Sequence, residues 1–231
     1  KVLNSVETAV QNISWLVANN LDEPEYMYIL TRQMLLSNPH VVGSAIAFEP
    51  AYYPEKGVLY CPYSFRQGPE LKGKQLGTED YEYHYMEWYQ VPKLLNKPYW
   101  SEPYYDDGGA DIVMTTYSCP LYDNEGKLYA VFTADLSLEW FTERVENVRP
   151  YPNSLNFMIS RGGSFLVHWR KEALLNETVF VSDVSADGVD LKEVGYRMIN
   201  GERGMTSFNR EGEEFYMFYA PVESAGWSVS V

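Results

Sequence analysis

Asp135 stands in the run LYAVFTADLS, an acid inside an otherwise apolar, strand-like segment. It follows a stretch crowded with Tyr and Trp, YEYHYMEWYQVPKLLNKPYWSEPYYDD at 81–107. An enclosed carboxylate walled by aromatic rings supplies a counter-charge and π faces, the pairing that a cationic amine requires. The plainer alternative for Asp135 is a capping or turn role just ahead of a helix. Likewise, most of the twenty tyrosines are expected to be strand residues half-buried on a sheet.

Catalytic patterns are missing. His40, His84 and His168 are scattered, with no HExxH spacing, no GxSxG elbow, no P-loop and no GxGxxG. His84 lies between Tyr83 and Tyr85 and reads as an aromatic neighbour, not a base. Asp106, Asp107 and Asp111 surround a glycine pair but fail the EF-hand template, so no metal site is expected. Asp106 is instead a candidate for drawing a cation toward a pocket mouth. Cys61 and Cys119 belong to no CxxC or Cys/His metal pattern, and a bridge between them stays open. No cofactor is implied.

The formal net charge of −14 repels phosphate backbones and anionic lipid surfaces, so nucleic acid is an unexpected partner and a cationic ligand a welcome one. No apolar run reaches the length of a spanning helix, and no signal peptide is present. The chain starts inside a helix-like pattern and stops inside a strand-like one. That suggests a domain excised from a longer protein, with native sequence on both sides.

Several elements must position these residues. Leu3, Val6, Val10, Ile13 and Val17 recur in steps of three and four, an a/d seam on a long helix. The seam either lies on its own domain or packs against a partner copy, giving a homodimer through the N-terminal helix. Pro24 marks a break or restart, and Asn38-Pro39 ends the helical region. Val41 to Phe48 and Gly57 to Arg66 read as an antiparallel strand pair. Glu79 to Leu95 is part helix. Ile112 to Tyr122 and Leu128 to Leu136 are strands joined at Asp123-Asn124-Glu125-Gly126. Leu136 to Val148 reads as a helix with Trp140, Phe141 and Val145 inward.

Arg149-Pro150-Tyr151-Pro152-Asn153-Ser154 is the best domain boundary. Beyond it the order of elements restarts: a hairpin over 155–169, a helix from Leu191 to Asn200, a second hairpin over 205–221, and a final strand from Trp227. The expected organisation is therefore a long N-terminal helix (1–39) and two tandem PAS-like α+β modules (40–150 and 151–231). Each module has a central antiparallel sheet flanked by helices. Ligand binding is expected in the first module. The run Gly162-Gly163-Ser164 and short connections leave little material for a pocket in the second, although His168 and Trp169 could line a small one.

The sequence resembles the double Cache sensor family, extracytoplasmic input domains of bacterial and archaeal chemoreceptors and histidine kinases. The likeness is carried by the leading helix, Trp88-Tyr89, YWSEPYYD at 99–106, TTYSCPLYDNEGKLYAVFTADLSLEWF at 115–141 and YAPVESAGWSVSV at 219–231. The resemblance implies an extracytoplasmic, non-enzymatic sensor anchored by flanking segments, binding a small molecule in the membrane-distal module. Carried over, the family's ligand-binding set falls on Tyr81, Trp88, Tyr89, Tyr104 and Asp135. The position that holds an arginine against a ligand carboxylate in amino-acid-binding members is Met86 here. Loss of that charge-assisted contact costs a carboxylate roughly 1.5–3 kcal/mol. An amine lacking an α-carboxylate is then the expected ligand, unless Arg66 supplies the charge and restores an amino acid. Two other readings compete. An aromatic-rich carbohydrate-binding or adhesion module requires Trp88, Trp100 and Trp140 exposed on one face, and a secreted hydrolase has no motif to support it.

Overall fold

The computed structural model describes residues 1–151, 153–181, 191–210 and 212–231, so Pro152 of the boundary segment lies outside the described residues. The chain divides into two compact units, Lys1–Ser101 with Tyr105–Ser137, and Glu102–Tyr104 with Leu138–Val231.

The first unit opens with two helices, α1 (Val2–Ala18) and α2 (Tyr26–Ser37). The expected single long helix is interrupted over residues 19–25, ahead of and through Pro24. All five seam residues are buried. They pack on α2 and on two strands of the same unit, so the seam that suggested a partner helix is filled from within. Trp15, on the outer face, is 67% exposed. The Tyr53 hydroxyl donates to the Leu21 carbonyl at 2.6 Å and the Tyr60 hydroxyl to the Pro24 carbonyl at 2.7 Å. Two tyrosine tips thus satisfy backbone groups that the helix break leaves open.

The strands that follow are β1 (Val41–Phe48), β2 (Pro62–Gln67), β3 (Glu70–Gln75), β4 (Tyr99–Trp100), β5 (Tyr104–Tyr105), β6 (Val113–Tyr122) and β7 (Leu128–Ser137). Their order is β3-β2-β1-β7-β6-β4, with β5 paired to β6 off this path. Helix α3 (Glu87–Leu95) packs on β4, β6 and β7. The central strands β1 and β7 are buried almost throughout, which explains their near-continuous apolar runs. Where Asp135 interrupts β7, its cross-strand neighbours are Gly43 on β1 and Thr116 on β6.

Arg66, on β2, donates through Nε to the Val41 carbonyl at 2.8 Å and through Nη2 to the Leu35 carbonyl in the last turn of α2. It neutralises the open carbonyls at a helix C-terminus. The alternative role for Arg66, a clamp for a ligand carboxylate, is not what its geometry serves. Arg66→Met is expected to lower unfolding stability by about 1–2 kcal/mol in urea denaturation while leaving ligand affinity unchanged. A stable Arg66→Met protein with altered ligand preference would reverse that assignment.

The second unit contains α4 (Leu138–Glu146), β8 (Phe157–Ile159), β9 (Phe165–Val167), α5 (Leu191–Ile199), β10 (Gly204–Arg210), β11 (Glu213–Val222) and β12 (Trp227–Ser230). Its sheet runs β10-β11-β12-β8-β9, antiparallel throughout. Helix α4 groups with this unit, ahead of the Pro-rich segment that marks a boundary in sequence. The reason is local: Phe141 packs 6.1 Å from Trp227, and the Asn156 amide donates to the Val145 and Val148 carbonyls. Phe141 faces inward as expected, whereas Trp140 and Val145 are only half-buried.

This unit also contains a cavity of about 940 Å³, lined in part by His168 and Trp169. Short connections imply little material for a pocket; the cavity is larger than that, and His168 and Trp169, the residues expected to be able to line a small one, are part of its wall. The space lies between the sheet and its aromatic rim, so it does not depend on long loops.

Candidate functional site

Asp135 is 4% exposed and lies near the end of β7. Its Oδ1 accepts from the Thr116 hydroxyl at 2.9 Å, and its Oδ2 from the Tyr63 hydroxyl at 3.3 Å. Sheet register delivers both donors: Thr116 is directly opposite on β6, and Tyr63 comes from β2 past the bare backbone of Gly43. A Cβ at Gly43 would lie 2.2 Å from the Tyr63 hydroxyl and 2.3 Å from Asp135 Oδ2. Glycine is required there because two polar side chains occupy the space.

Asp106, also 4% exposed, is a second buried acid of the same unit. Its Oδ1 accepts from the Tyr81 hydroxyl at 2.7 Å and its Oδ2 from the Ala110 amide at 2.7 Å. The second bond organises the loop that the Gly108-Gly109 pair allows. Lys74 donates to the carbonyls of Gly108 and Gly109, close enough to favour the charged form of Asp106 without bonding it.

Burial pushes Asp135 up from 3.8 to about 7, and repulsion by the Asp106 charge adds to the rise. The Thr116 and Tyr63 hydrogen bonds oppose it. Burial also raises Asp106. Cys61 is fully buried nearby, its thiol raised by desolvation and by both carboxylates. Among the described residues no Lys or Arg bonds either acid. Burial raises the pKa of both carboxyls, the Asp106 charge raises that of Asp135 further, and each is held by hydroxyl or amide donors alone.

The structure brings three of the expected residues to this place. Tyr81 holds Asp106, and Trp88, 4% exposed on α3, lies close to Tyr81. The buried Trp88 indole N–H is directed toward the Tyr81 hydroxyl without reaching full hydrogen-bond geometry. Asp135 is the third. Tyr89, adjacent to Trp88 on the helix, points elsewhere: its hydroxyl bonds Glu49, which Lys93 holds at 2.6 Å. Divergence of neighbouring helical residues by about 100° separates the pair. Tyr104 is half-buried in β5 and belongs to the second compact unit, whereas both acids belong to the first. Met86 is the N-cap residue of α3, 37% exposed.

Sequence reading missed Tyr63, Thr116 and Gly43. The signal for Thr116 was its place opposite Asp135 in an antiparallel pair. Tyr63 gave none beyond being one tyrosine of many. The two cysteines are free. Among the described residues no group of three or more His, Cys, Asp or Glu could hold a metal ion, and no helix is long and apolar enough to cross a membrane. Trp88 and Trp100 are 4% and 1% exposed, which removes the open aromatic platform that a carbohydrate-binding face requires.

Comparison with known proteins follows this geometry. A family model described as methyl-accepting chemotaxis protein-like, first PDC sensor domain, matches residues 27–143. No curated protein matches the chain. Among solved structures, the extracellular domain of a proposed histidine kinase, mmHK1S-Z3, superposes with a TM-score of 0.81 at 23% identity, covering 98% of this chain and 86% of that one. The periplasmic sensory domain of the Campylobacter jejuni chemoreceptor Tlp1 gives 0.74 at 14% identity, covering 99% and 87%. The ligand-binding domain of the Pseudomonas aeruginosa PAO1 amino-acid chemoreceptor PctB, in complex with L-Arg, gives 0.67 at 19% identity, covering 99% and 85%. At these identities the structural likeness establishes the fold.

Proposed function

The chain belongs to the methyl-accepting chemotaxis protein-like PDC sensor family, and from that premise we propose that its first module recognises a small cationic amine at Asp135 and Asp106. It is the extracytoplasmic sensor domain of a membrane-bound signalling receptor, and its work is binding. The observation that carries the amine reading is the pair of buried carboxylates, one held by Thr116 and Tyr63 and the other by Tyr81. Trp88, buried beside Tyr81, offers a ring face to a cation. PctB binds L-Arg, an amino acid. This chain differs in having Met86 where the resemblance places a carboxylate-binding arginine, and Arg66 caps a helix instead. The ligand is then an amine without a neighbouring carboxylate.

Binding signals only if the ligand favours one arrangement of the module over another. A homodimer would use the outer face of α1, where Trp15 is exposed, because the inner seam is already filled.

Thermal-shift measurements with ethanolamine, trimethylamine, glycine and acetate test the reading. An amine at a hundredfold excess over its Kd stabilises the native state by about 2.7 kcal/mol. For a chain of this size that is a rise in Tm of roughly 5–10 °C. Acetate is expected to give no rise, and glycine less than ethanolamine. Equal stabilisation of the parent and Asp135→Ala proteins by the amine would remove the site.

A further inference from the structure

We propose that the second unit holds a binding site of its own, for an uncharged, planar aromatic molecule bearing a carbonyl-type acceptor. The site is the cavity of about 940 Å³, within the size of small-molecule pockets. Its walls are aromatic. Phe157 meets Phe165 edge-on at 5.8 Å, Trp169 lies 6.4 Å from Phe157, and Phe208 stacks on Phe215 at 5.6 Å. Flat faces and ring edges arranged in this way select a planar ring system.

Polar groups define the rest of the ligand. Ser230 pairs with Tyr219 on one side and Phe157 on the other, so its side chain shares the sheet face of Phe157 and Met217, both of which line the cavity. Its hydroxyl is buried and without a hydrogen-bond partner among the described residues. A buried hydroxyl left unpaired costs free energy that a ligand atom can recover. His168 is 1% exposed and stacks on Trp169 with ring centroids 4.0 Å apart. Its Nδ1 lies 3.0 Å from the Arg170 amide nitrogen and 3.2 Å from the Arg170 carbonyl, so the ring is anchored from that side. Burial lowers its pKa, so the ring is neutral. One unpaired hydroxyl in a largely apolar space matches a single carbonyl-type oxygen.

Charge excludes the other classes. Among the lining residues Glu214 is the one Asp, Glu, Lys or Arg, and it is exposed at the rim. A carboxylate or phosphate would be buried without a cation, and an ammonium without an enclosed anion. The site therefore selects against the amine proposed for the first module, and the two would respond to different molecules.

Nile red, an uncharged planar dye with a ring carbonyl, is the probe. Its fluorescence is expected to shift to the blue and saturate at one dye per chain. Ser230→Ala should weaken binding about threefold to tenfold through loss of one hydrogen bond. Ser230→Leu, which fills the cavity floor, should weaken it at least tenfold, with native circular dichroism showing that the fold survives. Asp135→Asn should leave dye binding unchanged. Unsaturable binding, or identical affinity in the parent and Ser230→Ala proteins, overturns the proposal. If Ser230→Leu fails to fold, Ser230→Ala alone decides, since it removes one atom and overfills nothing.

Discussion

Asp135→Asn is expected to be more stable than the parent at pH 8 and unable to hold an amine. The parent carboxyl has its pKa raised from 3.8 to about 7, chiefly by burial and then by the Asp106 charge. Between about pH 4 and pH 7 the folded state therefore binds a proton that the unfolded state has released. Stability contributed by the neutral acid is complete below pH 4 and is lost as pH rises through 7. By pH 8 the unliganded parent carries the full cost of a buried, uncompensated charge, of order 2–4 kcal/mol. Asparagine matches the carboxyl in shape. Its amide can donate to the Thr116 or Tyr63 oxygen, since each hydroxyl can turn to accept.

Urea denaturation at pH 5 and pH 8 should show parent stability falling over that range and the Asn variant changing far less. The amine reverses the parent's trend, because it binds the charged carboxylate and expels the proton. Its affinity should drop about tenfold for each pH unit below 7, and calorimetry in buffers of different ionisation enthalpy should detect the released proton. A parent whose stability rises from pH 5 to pH 8, or an Asn variant that keeps amine affinity, would show that Asp135 is a structural acid and no receptor group.

Gly43→Ala is expected to cost about 1–3 kcal/mol of stability and at least tenfold in amine affinity. The added methyl would meet the Tyr63 hydroxyl at 2.2 Å and Asp135 Oδ2 at 2.3 Å, so one of the two side chains must leave its place. Gly43 pairs with Asp135 in the central ladder, which prevents the backbone from yielding cheaply. Tyr63→Phe removes the atom nearest the new methyl. The two substitutions together should therefore be less harmful than their sum, with a coupling of 0.5 kcal/mol or more in a double-mutant cycle. Additive effects would mean that the glycine serves the strand and not the acid.

How much of this was legible in the chain depended on whether the signal was local. The seam from Leu3 to Val17 announces a buried helix face because every member lies within one helix. The strands around the Asp123–Gly126 turn announce themselves by apolar runs bounded by turn residues. Strand β3, with the sequence ELKGKQ, did not, since it is a polar edge strand with no buried residue. Asp135 was visible as an acid in an apolar strand. Its partners were not, because Tyr63 lies 72 positions away and Thr116 19, and only register unites them. Tyr89 was misleading for a geometric reason, since two adjacent helical residues cannot face one small acid together. The size of the cavity in the second module was not legible, although His168 and Trp169 were readable as able to line one, because a void is set by what several elements fail to fill.

Cys61 and Cys119 are unpaired, and both thiols are shifted toward the protonated form, Cys119 to about 11. A thiol that is hard to ionise is a poor nucleophile toward oxidants and disulfides. Outside the cytoplasm, where exposed cysteines invite cross-linking, this chain can mature without help from disulfide-forming enzymes. The Cys61 thiol stays silent because it is enclosed, and the two neighbouring carboxylates further disfavour its thiolate.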